Sequence, residues 1–194
     1  SVFVEDTAIV LDEVAVLTRP GAASRRGEVD SMAQALAPYR PLRHMQAPAT
    51  LDGGDVLRLD HVLYVGQSGR SNAAGIAALH AFVAPFGYRV QAVPLHGCLH
   101  LKSAVTQIAP DRILMNPDWV EATHFAGYQA LMIDPAEAHA ANAVWLDDRV
   151  LLSAAFPRTA ERVRAAGIDV RTLDMSETEK AEGALTCCSV LLAA

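Results

Sequence analysis

Apolar residues in this chain gather in pairs of short runs, each pair split by a break of one to three residues rich in Asp or Pro. The doublet occurs four times, as AIVLDEVAVL, DVLRLDHVLYVG, VTQIAPDRILM and AVWLDDRVLL. Runs of that length around acidic or Pro-bearing breaks predict β-hairpins, with turns near Asp12, Asp60, Asp111 and Asp147. After three of the hairpins the apolar spacing becomes helical, from about Arg25 to Leu36, Asn72 to Val83 and Pro157 to Ala166. A short β-rich run then follows, such as YRVQAV or IDVRTL. The third unit is less regular, because Pro110, Pro117 and Pro135 interrupt it. The repeating unit is therefore strand, strand, helix, strand, recurring on the scale of propellers and other repeat architectures. One such unit cannot bury both faces of its sheet, so several must pack around an axis, and ligands gather where units converge. An ordinary mixed α/β domain with unrelated hairpins is the competing reading, and periodicity alone does not separate the two.

Composition narrows the class. The 194 residues, 52% apolar and 20% charged, suffice for a core and fit a single domain spanning residues 1–194. No run approaches the ~18 uninterrupted apolar residues of a membrane-spanning helix, and the start, SVFVEDTAIV, lacks the basic head of a secretion signal. A soluble, cytoplasmic protein with no membrane partner is expected. With 16 basic against 22 acidic residues, a formal net charge of -6 and no Lys/Arg stripe with interleaved aromatics, no nucleic-acid partner is expected either. Three cysteines, two of them adjacent, argue for reduced thiols rather than a disulfide framework.

The candidate chemistry lies in thiols, imidazoles and carboxylates. ALTCCSVLLA places Cys187 and Cys188 in a small-residue, β-prone run, where strand alternation would send them to opposite faces. Cys98 and Cys188 read as small core residues. A nucleophilic cysteine needs a base or a positive field beside it, and His100, in HGCLHLKS, is the candidate partner. His44, His61, His80, His124 and His139 read as solvated or structural. His96, Cys98 and His100 alternate and could share one strand face, which raises a zinc alternative, but the paired spacing of structural zinc sites is missing. Glu5 and Asp6 in VEDTA, and Asp52 and Asp55 in TLDGGD, stand at strand ends, where exposed carboxylates are commonplace. Gly53, Gly54, Gly66 and Gly69 have neither the Walker nor the dinucleotide spacing and read as turn glycines permitting positive φ. Arg25 and Arg26 sit at the unfavourable end of a helix dipole, which hints at a task for one of them. Arg70, in a Gly/Ser-rich turn, is either a carboxylate clamp or a solvated loop charge.

Taken in order, SVFVEDTAIV, TRPGAASRRGE, LDGGDVL, VGQSGRSN, LHLKS, AAN and LTCCSVL resemble the dimethylarginine dimethylaminohydrolases of the guanidino-group-modifying, or pentein, superfamily, over nearly the whole chain. The resemblance implies an α/β propeller of five ββαβ units around a central active site. It implies Cys187 as nucleophile, His100 as general acid and base, and Asp52 as the carboxylate that holds the histidine and touches the guanidinium. Asp6, with Glu5 beside it, would bind guanidinium nitrogens; Arg25 and Arg70 would clamp the substrate carboxylate; the backbone near Ala181 would receive the α-amine. The implied partner is a small methylated arginine, converted to citrulline and dimethylamine or methylamine without a metal or organic cofactor, and a homodimeric state is left open.

The sequence departs from the family pattern twice. Family members carry a further N-terminal stretch that completes the fifth unit, with an Asp directly before SVFVED and a loop covering the substrate. Neither is in this sequence, so four units are recognisable, the fifth is incomplete, and the chain is expected to be N-terminally incomplete and a weaker enzyme than an extended form. Related arginine and agmatine deiminases are expected to have an Asp two residues after the histidine, where Lys102 stands here. Loss of that acid favours a substrate with a methylated nitrogen. Arginine deiminase, amidinotransferase and a non-catalytic arginine-binding module are the alternatives.

Overall fold

A computed structural model describes residues 2–192. Those residues divide into two compact units. The first comprises the chain up to Pro94, Leu99–Leu101 and the segment from Cys187 onward; the second comprises Leu95–Cys98 and Lys102–Thr186.

The first unit contains two of the expected motifs. In one, β1 (Ala8–Val10) and β2 (Ala15–Leu17) form an antiparallel hairpin, α1 (Val29–Leu36) follows, and β3 (Leu42–His44) returns parallel to β2. In the other, β4 (Val56–Leu59) and β5 (Val62–Gln67) are antiparallel, α2 (Ala73–Val83) follows, and β6 (Arg89–Pro94) runs parallel to β5. Strand alternation assigns the faces of the first sheet. Ala8, Ala15 and Leu17 meet α1 through Leu36, with Val29, Met32 and Ala33 on the same helix stripe. Ile9 and Val16 point the other way, into a core shared with Leu63 and Val65 of β5 and Leu79 and Val83 of α2. The expected helix from Arg25 splits in two. Ala23–Glu28 is a 3-10 segment and the α-helix starts only at Val29. A glycine within that stretch and an Arg25 side chain bonded to Asp6, Phe3 and Glu28 favour the tighter turns. The α2 start is as expected, since the Asn72 side chain accepts the Gly75 N–H at 2.7 Å.

In the second unit the single-turn helix α3 (Leu101–Ala104) leads into β7 (Val105–Ala109), which pairs antiparallel with β8 (Arg112–Met115); β9 (Gln129–Met132) runs parallel to β8. Between β8 and β9, where Pro117 lies, a 3-10 turn, Ala122–His124, stands in place of a helix. The last motif is complete: β10 (Val144–Leu146) and β11 (Arg149–Ser153) antiparallel, α4 (Pro157–Ala165), β12 (Asp169–Leu173) parallel to β11, then α5 (Ser176–Glu179). Thr159, Ala160 and Val163 form the buried stripe of α4. All four hairpins expected from the sequence are present, each followed by a strand parallel to its second strand. In three of the four sheets a helix precedes that strand, the ββαβ order of the α/β-propeller class. The acidic turns have a backbone reason: Asp60, Asp147 and Asp148 adopt φ of 52, 48 and 65°, a region that Asp tolerates better than most side chains.

The α4 N-terminus has Pro157 in its first turn and no side-chain cap from Phe156. Glu137 supplies the cap from a distant loop, its two carboxylate oxygens accepting the Arg158 and Thr159 N–H groups at 2.9 and 2.7 Å. Glu137→Ala is expected to lower the unfolding free energy by about 1–2 kcal/mol, with Glu137→Gln losing less because one oxygen acceptor remains. Urea titration at unchanged m-value is the measurement; a midpoint equal to wild type for Glu137→Ala would show that the cap contributes nothing.

Candidate active site

The chemically capable side chains stand on short turns that run into strands. Glu5 and Asp6 occupy the 3-10 turn Val4–Thr7 that continues as β1. Asp52 precedes a second such turn, Gly53–Asp55, that continues as β4. His100 directly precedes α3. The expectation of exposed carboxylates is overturned: Glu5, Asp6, Asp52 and Asp55 are all buried, as is His100.

Asp52 and Asp6 flank one imidazole. His100 Nε2 lies 3.1 Å from Asp52 Oδ2 and 3.9 Å from Asp6 Oδ1. The other donors on these carboxylates are fixed: Gly21 N–H on Asp52 Oδ1 at 2.8 Å, Gly54 N–H on Asp6 Oδ1 at 3.1 Å, and the Arg25 guanidinium on Asp6 Oδ2. Burial by itself works against a charged imidazole here. The hydrogen bond with Asp52 and the fields of Asp6, Asp55 and Asp52 outweigh it, so His100 titrates above the ordinary imidazole value. The site holds His100 towards its protonated form.

The glycine reading needs correction. Positive φ occurs at Gly87, Gly97, Gly127 and Gly167, and not at Gly53, Gly54, Gly66 or Gly69. Gly53 and Gly54 are glycines because of close approach. A Cβ on Gly53 would lie 2.1 Å from the Glu5 carbonyl oxygen, and one on Gly54 would lie 2.8 Å from His100 Nδ1 and 2.9 Å from Asp6 Oδ1.

The donor atoms of Asp6, Asp52 and His100 fall within 4.8 Å of one another, near enough in principle for a shared cation. Each of the four carboxylate oxygens already has a hydrogen-bonding or ionic partner within the protein. The zinc alternative built on strand alternation does not hold, since residues 95–100 form no strand and Gly97 has φ of 66°. His96 is exposed and joins no metal-capable cluster among the described residues.

The two adjacent thiols are not on a strand either. Thr186–Cys188 is a 3-10 turn, with Cys187 half-buried and Cys188 exposed. The strand is lost because Asn142 binds this segment through its side chain: it accepts the Thr186 N–H at 3.1 Å and donates to the Thr186 hydroxyl at 2.8 Å. Although the residue is exposed overall, the partial burial of its thiol, and then the charge of Glu5, raise Cys188 above its ordinary value, the wrong direction for a nucleophile.

No protein-family model matches the chain. It is 42% identical over 194 residues to the N(G),N(G)-dimethylarginine dimethylaminohydrolase of Streptomyces coelicolor, covering 99% of this chain and 74% of that one. It is 33% identical over 192 residues to the enzyme of the same name from Pseudomonas aeruginosa, covering 98% and 76%. A solved structure of the Pseudomonas aeruginosa enzyme, a cysteine-to-serine mutant complexed with citrulline, superimposes with a TM-score of 0.88 at 32% identity, covering 93% of this chain and 72% of that one. The chain belongs to the dimethylarginine dimethylaminohydrolase family.

Within this dimethylarginine dimethylaminohydrolase fold, Glu5, Asp6, Arg25, Asp52, Arg70, His100 and Cys187 all fall in the first compact unit, and Ala181 falls in the second. Arg25 does not stand alone: its guanidinium bonds Glu28, Asp6 and the Phe3 carbonyl, and the Glu28 hydrogen bond, then Asp6, hold its pKa up. Arg70 is half-buried, and its guanidinium makes no ion pair among the described residues. Ala181 is exposed and its N–H closes the turn after α5 on the Thr178 carbonyl. Gly21, Ser68, Ser71 and Asn142 were given no role in the sequence reading. Their signal was present in the motifs TRPGAAS, VGQSGRSN and AAN, but a motif does not state which neighbour it serves.

Two outcomes follow from the geometry. Gly54→Ala pushes a methyl against His100 and Asp6 and is expected to reduce activity by about 10²-fold, the scale of a roughly 1 Å misplacement; a variant of wild-type kcat would show that the turn yields freely. Because the His100 pKa is raised on folding, its contribution to stability is full below the unfolded value of 6.5 and is lost as pH rises through the higher folded value. The stability difference between wild type and His100→Asn should therefore be largest in acid and shrink towards alkaline pH, as read from denaturant midpoints across pH.

Proposed function

We propose that this chain hydrolyses an Nω-methylated arginine to citrulline, releasing dimethylamine or methylamine, through a covalent intermediate on Cys187. The observation that carries the reading is the buried pair of carboxylates around His100 in a member of the dimethylarginine dimethylaminohydrolase family. A guanidinium keeps its proton at neutral pH and is a weak electrophile, so its charge has to be localised before a thiolate can reach the central carbon. Asp6, with Glu5 beside it, and Asp52 supply that negative field in a buried setting, where it is stronger than in water.

In this scheme the Cys187 sulfur bonds to the guanidinium carbon and forms a tetrahedral adduct. His100, oriented through Nε2 by Asp52, gives its proton from Nδ1 to the methylated nitrogen. The carbon–nitrogen bond breaks and leaves an S-linked thiouronium. Water then adds to the carbon as the same imidazole takes one of its protons. The carbon–sulfur bond breaks with the sulfur leaving as thiolate, the second water proton passes to the released amine, and the ureido group of citrulline remains. Acid–base work of this kind contributes about 10²–10⁴ in rate. Arg70 and Arg25 take the substrate carboxylate and the backbone near Ala181 takes the α-amine; Arg70 is the better supported of the two arginines, since Arg25 is already bonded to Asp6 and Glu28. Lys102 stands where an acid would otherwise hold a second unsubstituted nitrogen, which supports a methylated substrate over arginine.

Amine analysis after incubation with dimethylarginine, monomethylarginine and arginine is the deciding experiment. Dimethylamine and methylamine are expected, and ammonia from arginine as the dominant product would move the chain to the deiminases. Cys187→Ala is expected to lose at least about 10³-fold in turnover, while Cys188→Ala and Cys98→Ala keep most of it. Arg70→Ala should raise KM more than it lowers kcat, the signature of lost uniform binding; a substrate analogue without its carboxylate should be nearly indifferent to that change.

A further inference from the structure

We infer that Asp55, which takes no part in the chemistry above, is the positioning residue on which the backbone of the site is hung. The peptide N–H of Leu101 reaches its carboxylate directly, and those of Asp52 and Arg70 reach it through one serine hydroxyl each. Asp55 is 0% exposed. Its Oδ1 accepts the N–H of Leu101, the residue after His100, at 3.1 Å. Its Oδ2 accepts the hydroxyls of Ser71 and Ser68 at 2.6 and 2.5 Å. Ser71 Oγ in turn accepts the Asp52 N–H at 3.2 Å, and Ser68 Oγ accepts the Arg70 N–H at 3.0 Å.

The direction of these relays is not adjustable. A peptide N–H can only donate, and a serine has one hydroxyl hydrogen, so a hydroxyl that accepts the amide turns its own hydrogen to Asp55. The group at the end must therefore be a pure acceptor, which a carboxylate is and an amide or hydroxyl is not. Burial works against the ionised form of Asp55 and leaves its pKa raised, although His100, both hydroxyls and the Leu101 amide pull the other way. A charge held at that burial is poorly accounted for by packing alone. Asp55 is also one of the three carboxylates, with Asp6 and Asp52, whose fields hold His100 towards its protonated form.

The inference rests on the roles proposed for Asp52, His100 and Arg70, and the two serine relays separate those roles. The Ser71 relay reaches the residue that orients the imidazole, whereas the Ser68 relay reaches the residue assigned to the non-reacting end of the substrate. Ser71→Ala is expected to lower kcat about tenfold with KM nearly unchanged, and Ser68→Ala to raise KM about tenfold with kcat nearly unchanged. Asp55→Asn should show both losses, and proton NMR titration should find the His100 midpoint moved to lower pH, its resonance identified by its disappearance in His100→Asn. The titration needs no substrate, so a shifted midpoint in a protein inactive towards dimethylarginine would support Asp55 while sinking the substrate assignment. If Asp55→Asn does not fold, the serine pair decides. Serine variants with the same kcat and KM pattern, or an Asp55→Asn protein with an unmoved His100 midpoint and wild-type kinetics, would overturn the inference.

Discussion

Negative charge buried around a single imidazole is the constraint from which the rest of the first compact unit can be understood. Asp6 and Asp52 approach His100 directly, Asp55 acts on it through its field, and all three are withdrawn from water. Uncompensated, such a set would neutralise itself by taking up protons or would not stay folded. Compensation comes from backbone and side chains together: the amides of Gly21, Gly54 and Leu101 each donate to one of these acids, the Arg25 guanidinium pairs with Asp6, and the Ser68 and Ser71 hydroxyls donate to Asp55. At Gly54 the donor comes that close because no side chain is present, since a Cβ there would collide with His100 and Asp6, which ties that glycine to the electrostatics of the site.

The same constraint explains which parts of the fold could be read from the sequence. Hairpins, acidic turns and the start of α2 were legible because their causes are local: alternation of apolar residues, the tolerance of Asp for left-handed backbone, and a capping Asn three residues before the amide it receives. The residues alone suggested pairing Cys187 with His100, whereas the role proposed for Asp52 came only through the resemblance. Where alternation alone was used, at Cys187 and Cys188 and at His96 to His100, it predicted strands that the structure does not have.

The errors share one origin. Thr186 is β-prone by composition, but Asn142, more than forty residues away in sequence, takes its amide and hydroxyl and turns the segment into a 3-10 turn. Gly53 and Gly54 resemble any turn glycines until Glu5, Asp6 and His100 are seen against them. Asp55 in the GGD motif looked interchangeable with Asp52, yet one bonds the imidazole and the other gathers amides. Partners at that sequence separation leave no periodic trace, so a window-based reading cannot see them.

The one-way orientation of the serine hydroxyls has a consequence for how the pocket responds to charge. When a positive ligand arrives, or a proton leaves His100, a hydroxyl in water would rotate to follow the new field. Ser68 and Ser71 cannot do so without abandoning both a peptide amide and a carboxylate. These two hydroxyls are therefore fixed dipoles beside Asp55, with little reorganisation left to them when the charge nearby changes.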